Sequence, residues 1–147
     1  MSPLLAVSGL GVSFASGDGL VQATADIGFS IQPGERVGIV GESGCGKTVT
    51  GLALLGLLPS ATSKVVGSAM FEGQNLIGLA DDKLRRVRGR RISMIFQEPM
   101  SALDPVFTIG QQISETVRTH FAMTRPQARE RAIEALASVG ISSPARI

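Results

Sequence analysis

The sequence predicts an α/β fold, and three observations carry that prediction. Two N-terminal stretches, Leu4 to Phe14 and Leu20 to Ile31, alternate small or polar residues with apolar ones in the manner of half-buried strands. A short apolar run, Arg36-Val37-Gly38-Ile39-Val40, stops at a glycine-rich segment and is followed by a stretch to Leu58 that is apolar nearly all round. Two further helical stretches, Thr108 to His120 and Thr124 to Val139, occupy the C-terminal third.

In chain order, the first strand is Leu4 to Phe14, Gly17-Asp18-Gly19 is a turn, and the second strand shows its alternation around Ile27, Phe29 and Ile31. Gln32-Pro33-Gly34-Glu35 places Pro and then Gly at the central positions of a type II turn. Residues 36–40 read as a buried strand. The helix after the glycine-rich segment runs to Leu58, must be buried, and is ended by Pro59. Val65 to Phe71 and Arg91 to Phe96 are further strands, with a helical turn at Asp82 to Arg88 between them. The last helix opens on Thr124-Arg125-Pro126-Gln127, a capping box with Pro in the first turn, and Gly140 stops it. There is no internal repeat and no low-complexity linker.

Composition excludes several classes. The 147 residues carry 14 Lys plus Arg, 12 Asp plus Glu, 44% apolar residues and one Cys. An ordinary apolar fraction with a net charge of +2 argues against intrinsic disorder. One Cys forbids a disulfide scaffold. The longest apolar stretch, Val49 to Leu58, contains Thr50, Gly51 and Gly56, whereas spanning a bilayer takes about 20 residues. Met1-Ser2-Pro3-Leu4-Leu5 has no basic n-region, so a cytosolic chain is expected. A mean hydropathy of +0.26 is high for a soluble domain with few aromatics.

Gly41-Glu42-Ser43-Gly44-Cys45-Gly46-Lys47-Thr48 matches G-x-x-x-x-G-K-[ST] at every fixed position, between a predicted strand and a predicted helix. Glycines permit positive φ, so successive N–H groups turn inward around a polyphosphate, and the helix adds its unsatisfied N–H groups and positive dipole end. Lys47 is expected to reach the β- and γ-phosphates and Thr48 to ligate Mg²⁺. The chain has only three lysines, so one at this spot is no by-product of composition. These residues predict a nucleotide site of the P-loop NTPase kind. Cys45 lies near a helix N-terminus and Lys47, which favours a reactive thiol. The alternative is that any small residue fits at that position.

A second motif follows. Arg91-Ile92-Ser93-Met94-Ile95-Phe96 is an apolar strand that delivers Gln97 at its end, and Pro99 breaks it at once. With this pair of motifs the sequence resembles the ATP-binding subunits of ABC transporters, whose glycine loop G-x-S-G-x-G-K-[ST] and strand-end Q-loop Gln match Gly41 to Thr48 and Gln97. It is most similar to the importer subfamily for peptides, nickel and glutathione. That likeness rests on Val40-Gly41-Glu42-Ser43-Gly44 and on Ile95-Phe96-Gln97-Glu98-Pro99-Met100-Ser101-Ala102-Leu103-Asp104-Pro105, continuing through Ile109-Gly110-Gln111-Gln112-Ile113-Ser114-Glu115. The resemblance spans essentially the whole chain.

The resemblance implies an incomplete ABC-type nucleotide-binding domain. Residues 1–97 would be the β and phosphate-loop core portion, and 98–147 the Q-loop and the start of a helical subdomain. It implies ATP held by Gly41, Glu42, Ser43, Gly44, Cys45, Gly46, Lys47, Thr48 and Val49, with Mg²⁺ at Thr48 and Gln97. Val49 stands where many members have a hydroxyl residue, leaving its backbone N–H to serve. Phe14 falls near the family's adenine-stacking aromatic, though Ala15 to Gln22 lengthen the spacing, and a core aromatic is the alternative. Implied partners are permease subunits facing the Q-loop region, a second ATP-binding subunit as dimer, and a substrate-binding protein. The implied location is peripheral, on the cytoplasmic face of the membrane.

Hydrolysis in the family also needs a Ser-Gly-Gly signature, an apolar strand ending in Asp-Glu and a switch His, and these residues contain none of them. Ile77-Gly78-Leu79-Ala80-Asp81-Asp82 mimics the acidic strand but precedes the Gln97 strand. Glu98 falls in the Q-loop, and His120, the only His, ends a helix. The chain is therefore expected to be the N-terminal portion of an importer subunit, binding nucleotide weakly and not hydrolysing it on its own. A nucleotide-binding remnant is the alternative. A DNA-maintenance ATPase of ABC type would need an insertion between Gly41 and Gln97 that is not there. Arg85, Arg86, Arg88, Arg90 and Arg91 dominate the pI of 9.2, but without interleaved aromatics they read as a solvated or partner-facing surface, not a nucleic-acid site. The high hydropathy is then that of strands made for a larger sheet, which predicts exposed apolar faces and poor solubility.

Overall fold

β1 (Leu5–Ser16) is flanked by β2 (Gly19–Ile31) on one side and β3 (Ser63–Phe71) on the other, both antiparallel to it. The computed structural model describes residues 2–17, 19–98 and 102–146. The sheet order is β2-β1-β3-β4, with β4 limited to Gln74–Asn75. Asp18 of the expected first turn lies outside the described residues. In β2 the expected alternation holds, since Ile27, Phe29 and Ile31 are half-buried while Gly28 and Ser30 are exposed. The turn after it closes with Glu35 N–H donating to Gln32 O at 3.0 Å, and Gly34 takes φ +77°, the value a type II turn requires there.

β1 reaches across the sheet through three register shifts, and at one of them it meets β3 backbone to backbone. Gly67, at φ +95°, lies so close to Gly9 that a Cβ there would clash with the Gly9 carbonyl. β3 and β4 are joined by Glu72 and Gly73, both at positive φ, a two-residue hairpin of type I′ geometry. The Asn75 side chain then accepts from Ala69 N–H at 2.9 Å and Ile77 N–H at 3.2 Å, extending the pairing where β4 ends.

α1 (Lys47–Leu54) is shorter than expected. Gly56 ends it, not Pro59. At φ +59° it donates to Ala53 O, and Leu57 N–H donates to Leu52 O, the paired bonds of a Schellman cap. Its buried face is Thr50 and Ala53, with Leu55 buried at the C-cap. These join Val7, Leu10, Val12, Ala69, Phe71 and Leu76 in an apolar core.

Residues 36–40 and 92–96 depart from expectation. Both were expected as strands, the first of them buried, yet neither runs in a ladder, apart from a single bridge between Ile92 and Arg88. Val40 and Ile95 are each 93% exposed, and Val37, Ile39 and Phe96 are exposed too. The physical reason is that a parallel strand needs neighbours on both edges and cover on both faces, and no described strand runs beside either run. Their exposed apolar faces are what a sheet extending beyond these residues would leave.

The chain divides into two units, Met1–Arg85 and Arg86–Ile147, with α2 (Asp81–Val87) running across the junction. In the second unit α3 (Ile109–His120) packs against α4 (Arg125–Ser138). Ala128, Ala132 and Leu136 recur every four residues and form the buried stripe of α4. Both helices start with Thr and Gln three residues apart. Around α3, Thr108 Oγ1 accepts from Gln111 N–H at 3.2 Å and Gln111 Oε1 accepts from Thr108 N–H at 2.9 Å. At α4, Gln127 Oε1 accepts from Thr124 N–H at 2.9 Å. Gly140 ends α4 through a second Schellman cap, as expected, with φ +81° and Ile141 N–H donating to Leu136 O. A 3-10 turn, Pro144–Arg146, follows.

Candidate functional site: a glycine loop on a helix N-terminus

The loop between Gly41 and Thr48 is shaped by the two glycines that take positive φ and by the lysine that closes it. Gly44 has φ +81° and Gly46 φ +94°, backbone that L-residues other than glycine avoid. Gly46 is also the N-cap of α1. Thr50 makes the first helical bond, its N–H donating to Gly46 O at 2.8 Å, and its hydroxyl donates to the same oxygen at 2.9 Å. The N–H groups of Lys47, Thr48 and Val49 precede that bond, so the helix itself offers them no acceptor. No acidic residue sits in the first turn to neutralise the positive end of the helix. Thr48 is exposed.

Lys47 folds back along the loop. Its Nζ donates to Gly41 O and Glu42 O, both at 2.7 Å, and lies 3.4 Å from Cys45 Sγ. The loop closes on itself a second time through Cys45 N–H to Glu42 O at 3.3 Å. Space inside is tight, because a Cβ on Gly41 would lie 2.6 Å from the Cys45 sulfur. Cys45 itself is a free, exposed thiol.

Below the loop lies a residue that sequence reasoning missed. Thr24, in β2, is only 6% exposed, and its hydroxyl has no hydrogen-bond partner. Its Cγ2 and the Ala23 carbonyl fill the place where a side chain on Gly46 would go. The loop therefore rests on β2, and the only sequence signal for this was a small β-branched residue in a strand.

The eight residues from Gly41 to Thr48 thus form one loop closed around the Lys47 ammonium, and with Val49 they offer the open N–H groups of the α1 N-terminus, donor chemistry suited to a polyphosphate. Phe14 lies half-buried in β1, paired with Val21 and Ser63. Gln97 belongs to the second unit and is exposed, and Pro99, Met100 and Ser101 of the same motif lie outside the described residues. His120 is also in the second unit, its ring against Gly89, and Arg90 stacks on Phe121 at 5.7 Å. A cavity of about 690 Å³ opens between α3, α4 and the 3-10 turn, lined by Arg118, Arg125, Arg129 and Arg146 among others, and its lining residues all lie between 107 and 146. No described helix is long and apolar enough to cross a membrane.

Comparison with known proteins agrees with this geometry. The family described as ABC transporter matches residues 24–146. A probable peptide ABC transporter ATP-binding protein of Sinorhizobium fredii is 46% identical over 144 residues, covering 97% of this chain and 43% of that protein. The dipeptide transport ATP-binding protein of Bacillus subtilis is 43% identical over 145 residues, covering 98% of this chain and 43% of its own length. The chain thus spans under half the length of these relatives. Among solved structures, the dimeric bacterial ABC transporter cassette MJ0796 superposes with a TM-score of 0.76 at 24% identity, over 90% of this chain and 56% of that one. The fold likeness, the family match and the glycine loop converge: this chain belongs to the ABC transporter family, as part of its ATP-binding cassette.

Proposed function

We propose that the chain supplies the nucleotide-holding portion of an ATP-binding subunit of an importer for di- or oligopeptides. The observation that carries this reading is the loop itself, with left-handed Gly44 and Gly46, the open first turn of α1 and Lys47 bonded across Gly41 and Glu42. Relatives named as peptide and dipeptide transport ATP-binding proteins support the choice of cargo class.

In this reading Gly41, Glu42, Ser43, Gly44, Cys45, Gly46, Lys47 and Thr48 wrap the phosphates of ATP, and Val49 contributes its backbone N–H. Lys47 exchanges its carbonyl partners for phosphate oxygens, replacing bonds to neutral acceptors with bonds to charged ones. Thr48 would be a ligand of Mg²⁺, which when bound neutralises phosphate charge, and Gln97 is the second residue with the chemistry to ligate it. Phe14 offers a face to the adenine ring. The subunit pairs with a second ATP-binding subunit, docks on permease subunits through the Gln97 segment, and sits on the cytoplasmic side of the membrane, with a substrate-binding protein delivering cargo. The 147 residues hold ATP without turning it over, because they lack the strand ending in Asp-Glu that would supply a general base for the attacking water.

Cys45 gives a direct test. Its exposed sulfur lies 3.4 Å from Lys47 Nζ, inside the loop that would close on phosphate. Alkylation of Cys45 should slow in MgATP and not in adenosine, and Lys47→Ala should abolish the protection. Equal alkylation rates with and without MgATP would refute the placement. Turnover of ATP by the chain, lost in Lys47→Ala, would overturn the claim that it only binds.

A further inference from the structure

The cavity between α3, α4 and the 3-10 turn holds positive charge that nothing around it neutralises. Arg118 comes from α3, Arg125 and Arg129 from successive turns of α4, and Arg146 from the 3-10 turn. Three elements thus bring four guanidiniums to one space of about 690 Å³. Residues four apart share a helix face, so Arg125 and Arg129 set two like charges side by side on α4. Among the described residues none of the four has a carboxylate partner, and the one side-chain hydrogen bond any of them makes is Arg129 Nη2 to Ala145 O at 3.5 Å. Glu115, the single acidic residue of the lining, and Glu130, next to Arg129, form no ion pair with them. Arg131, on α4 but outside this lining, is handled differently: its Nη1 lies 2.9 Å from Glu134 Oε2.

Like charges gathered in a cleft repel one another and focus a field that an anion relieves. The chemistry that suits guanidinium is specific, because its planar fork binds a carboxylate or phosphoryl group through parallel hydrogen bonds. A single such group engages one or two forks, whereas four forks on three elements suit a ligand with more than one. The rest of the lining adds an apolar contribution, with Ala132 buried and Ile133 and Pro144 half-buried. Its volume falls within the range of small-molecule pockets, about 300–1,000 Å³.

We propose that this cavity binds a small organic anion carrying two or more carboxylate or phosphoryl groups. The site is separate from the glycine loop, since every residue of its lining belongs to the second unit and Gly41 to Thr48 belong to the first. The anionic groups take the guanidiniums, the carbon skeleton lies on Ile133 and Pro144, and the bound ligand bridges α3, α4 and the 3-10 turn.

Arginine modification by phenylglyoxal, read residue by residue by mass spectrometry, tests this on the 147-residue chain without nucleotide. Citrate probes the carboxylate source and fructose 1,6-bisphosphate the phosphoryl source, each against sodium chloride of matched ionic strength. One of them should slow modification of Arg118, Arg125, Arg129 and Arg146 by roughly threefold or more along one saturation curve, as occupied forks do. Arg36, in the first unit, and Arg131 should keep their rates. Arg125→Gln removes one fork from an exposed helical position, where glutamine is tolerated. It should raise the half-saturating concentration read at Arg118 and Arg146 by about tenfold, and Arg131→Gln should leave it unchanged. Rates that follow ionic strength alone, or that fall equally at Arg36 and Arg131, would overturn the proposal. So would protection by poly-glutamate and by neither small anion, which would make the cavity a docking surface for an acidic chain. Protection lost in Lys47→Ala would put the anion on the glycine loop and refute a separate site.

Discussion

Lys47 Nζ donates to the backbone carbonyl of Gly41, six residues earlier, at 2.7 Å, and an equal bond to Glu42 O places one ammonium on two carbonyl dipoles. The side chain is therefore both the loop's charge and its clasp. Charge-assisted hydrogen bonds are worth about 1.5–3 kcal/mol each. Lys47→Ala should weaken MgATP binding by roughly 10- to 100-fold, at about 1.4 kcal/mol per tenfold. Lys47→Arg should not restore it, because a planar guanidinium replaces a compact ammonium in a loop this tight. Competition against a fluorescent ATP analogue measures both, and wild-type affinity in Lys47→Ala would show that the ammonium contributes nothing to the site.

Gly46 tests how far the loop depends on β2. Its φ of +94° is unfavourable for any other residue, by about 1–2 kcal/mol in the left-handed region. A Cβ would also strike the Thr24 methyl and lie 3.1 Å from Ala23 O, and overpacking of this kind costs about 1–3 kcal/mol. Gly46→Ala should then destabilise the first unit by about 2–5 kcal/mol in urea denaturation, on those two contributions. Adding Thr24→Ala should recover only part, since it removes the methyl and leaves the backbone strain and the Ala23 carbonyl. Full recovery in the double variant would mean that the clash alone mattered.

Thr24 carries a cost of its own. Its hydroxyl is buried and unpartnered, whereas its methyl is what seats Gly46. Thr24→Val keeps the branched shape and removes the orphan polar atom, and valine suits a strand at least as well. The substitution should stabilise the first unit by about 1 kcal/mol, the lower end of the penalty for a buried unsatisfied group. The readout is an upward shift of the urea midpoint at unchanged m-value. A downward shift would mean that the hydroxyl has a partner in solution.

The glycine loop was legible because its chemistry is local. Eight consecutive residues supply the left-handed glycines, the helix start and the lysine, and each of these follows from residue type alone. The end of α1 was misread for a related reason, since Leu57 and Leu58 continue the apolar pattern and mask the stop that Gly56 makes through φ +59°. Contacts between distant residues left no such trace. Nothing in the sequence announces that Thr24 underlies Gly46 or that Gln112 reaches back eight residues to Asp104, because each depends on a fold that brings separate segments together. Residues 36–40 and 92–96 show the opposite failure. Their composition is that of buried strands, but a strand is a relation between neighbours, and the described residues supply none.

That missing relation has a measurable consequence. Val37, Ile39 and Val40 run exposed directly before the glycine loop, and Ile95 and Phe96 run exposed directly before Gln97. Each run presents unpaired backbone N–H and C=O groups beside β-branched or aromatic side chains, which is a template for pairing with another chain. The wild-type chain should therefore self-associate at micromolar concentration, with the scattering species growing as concentration rises. Val40→Lys with Ile95→Lys places a charge in each run at positions 93% exposed, so neither change disturbs a core contact. The double variant should raise the soluble fraction several-fold and leave the unfolding free energy within about 0.5 kcal/mol of wild type, as surface substitutions usually do. Size-exclusion chromatography with light scattering decides the matter. A wild-type chain that elutes as a monodisperse monomer and melts cooperatively would show that these runs find cover within the 147 residues.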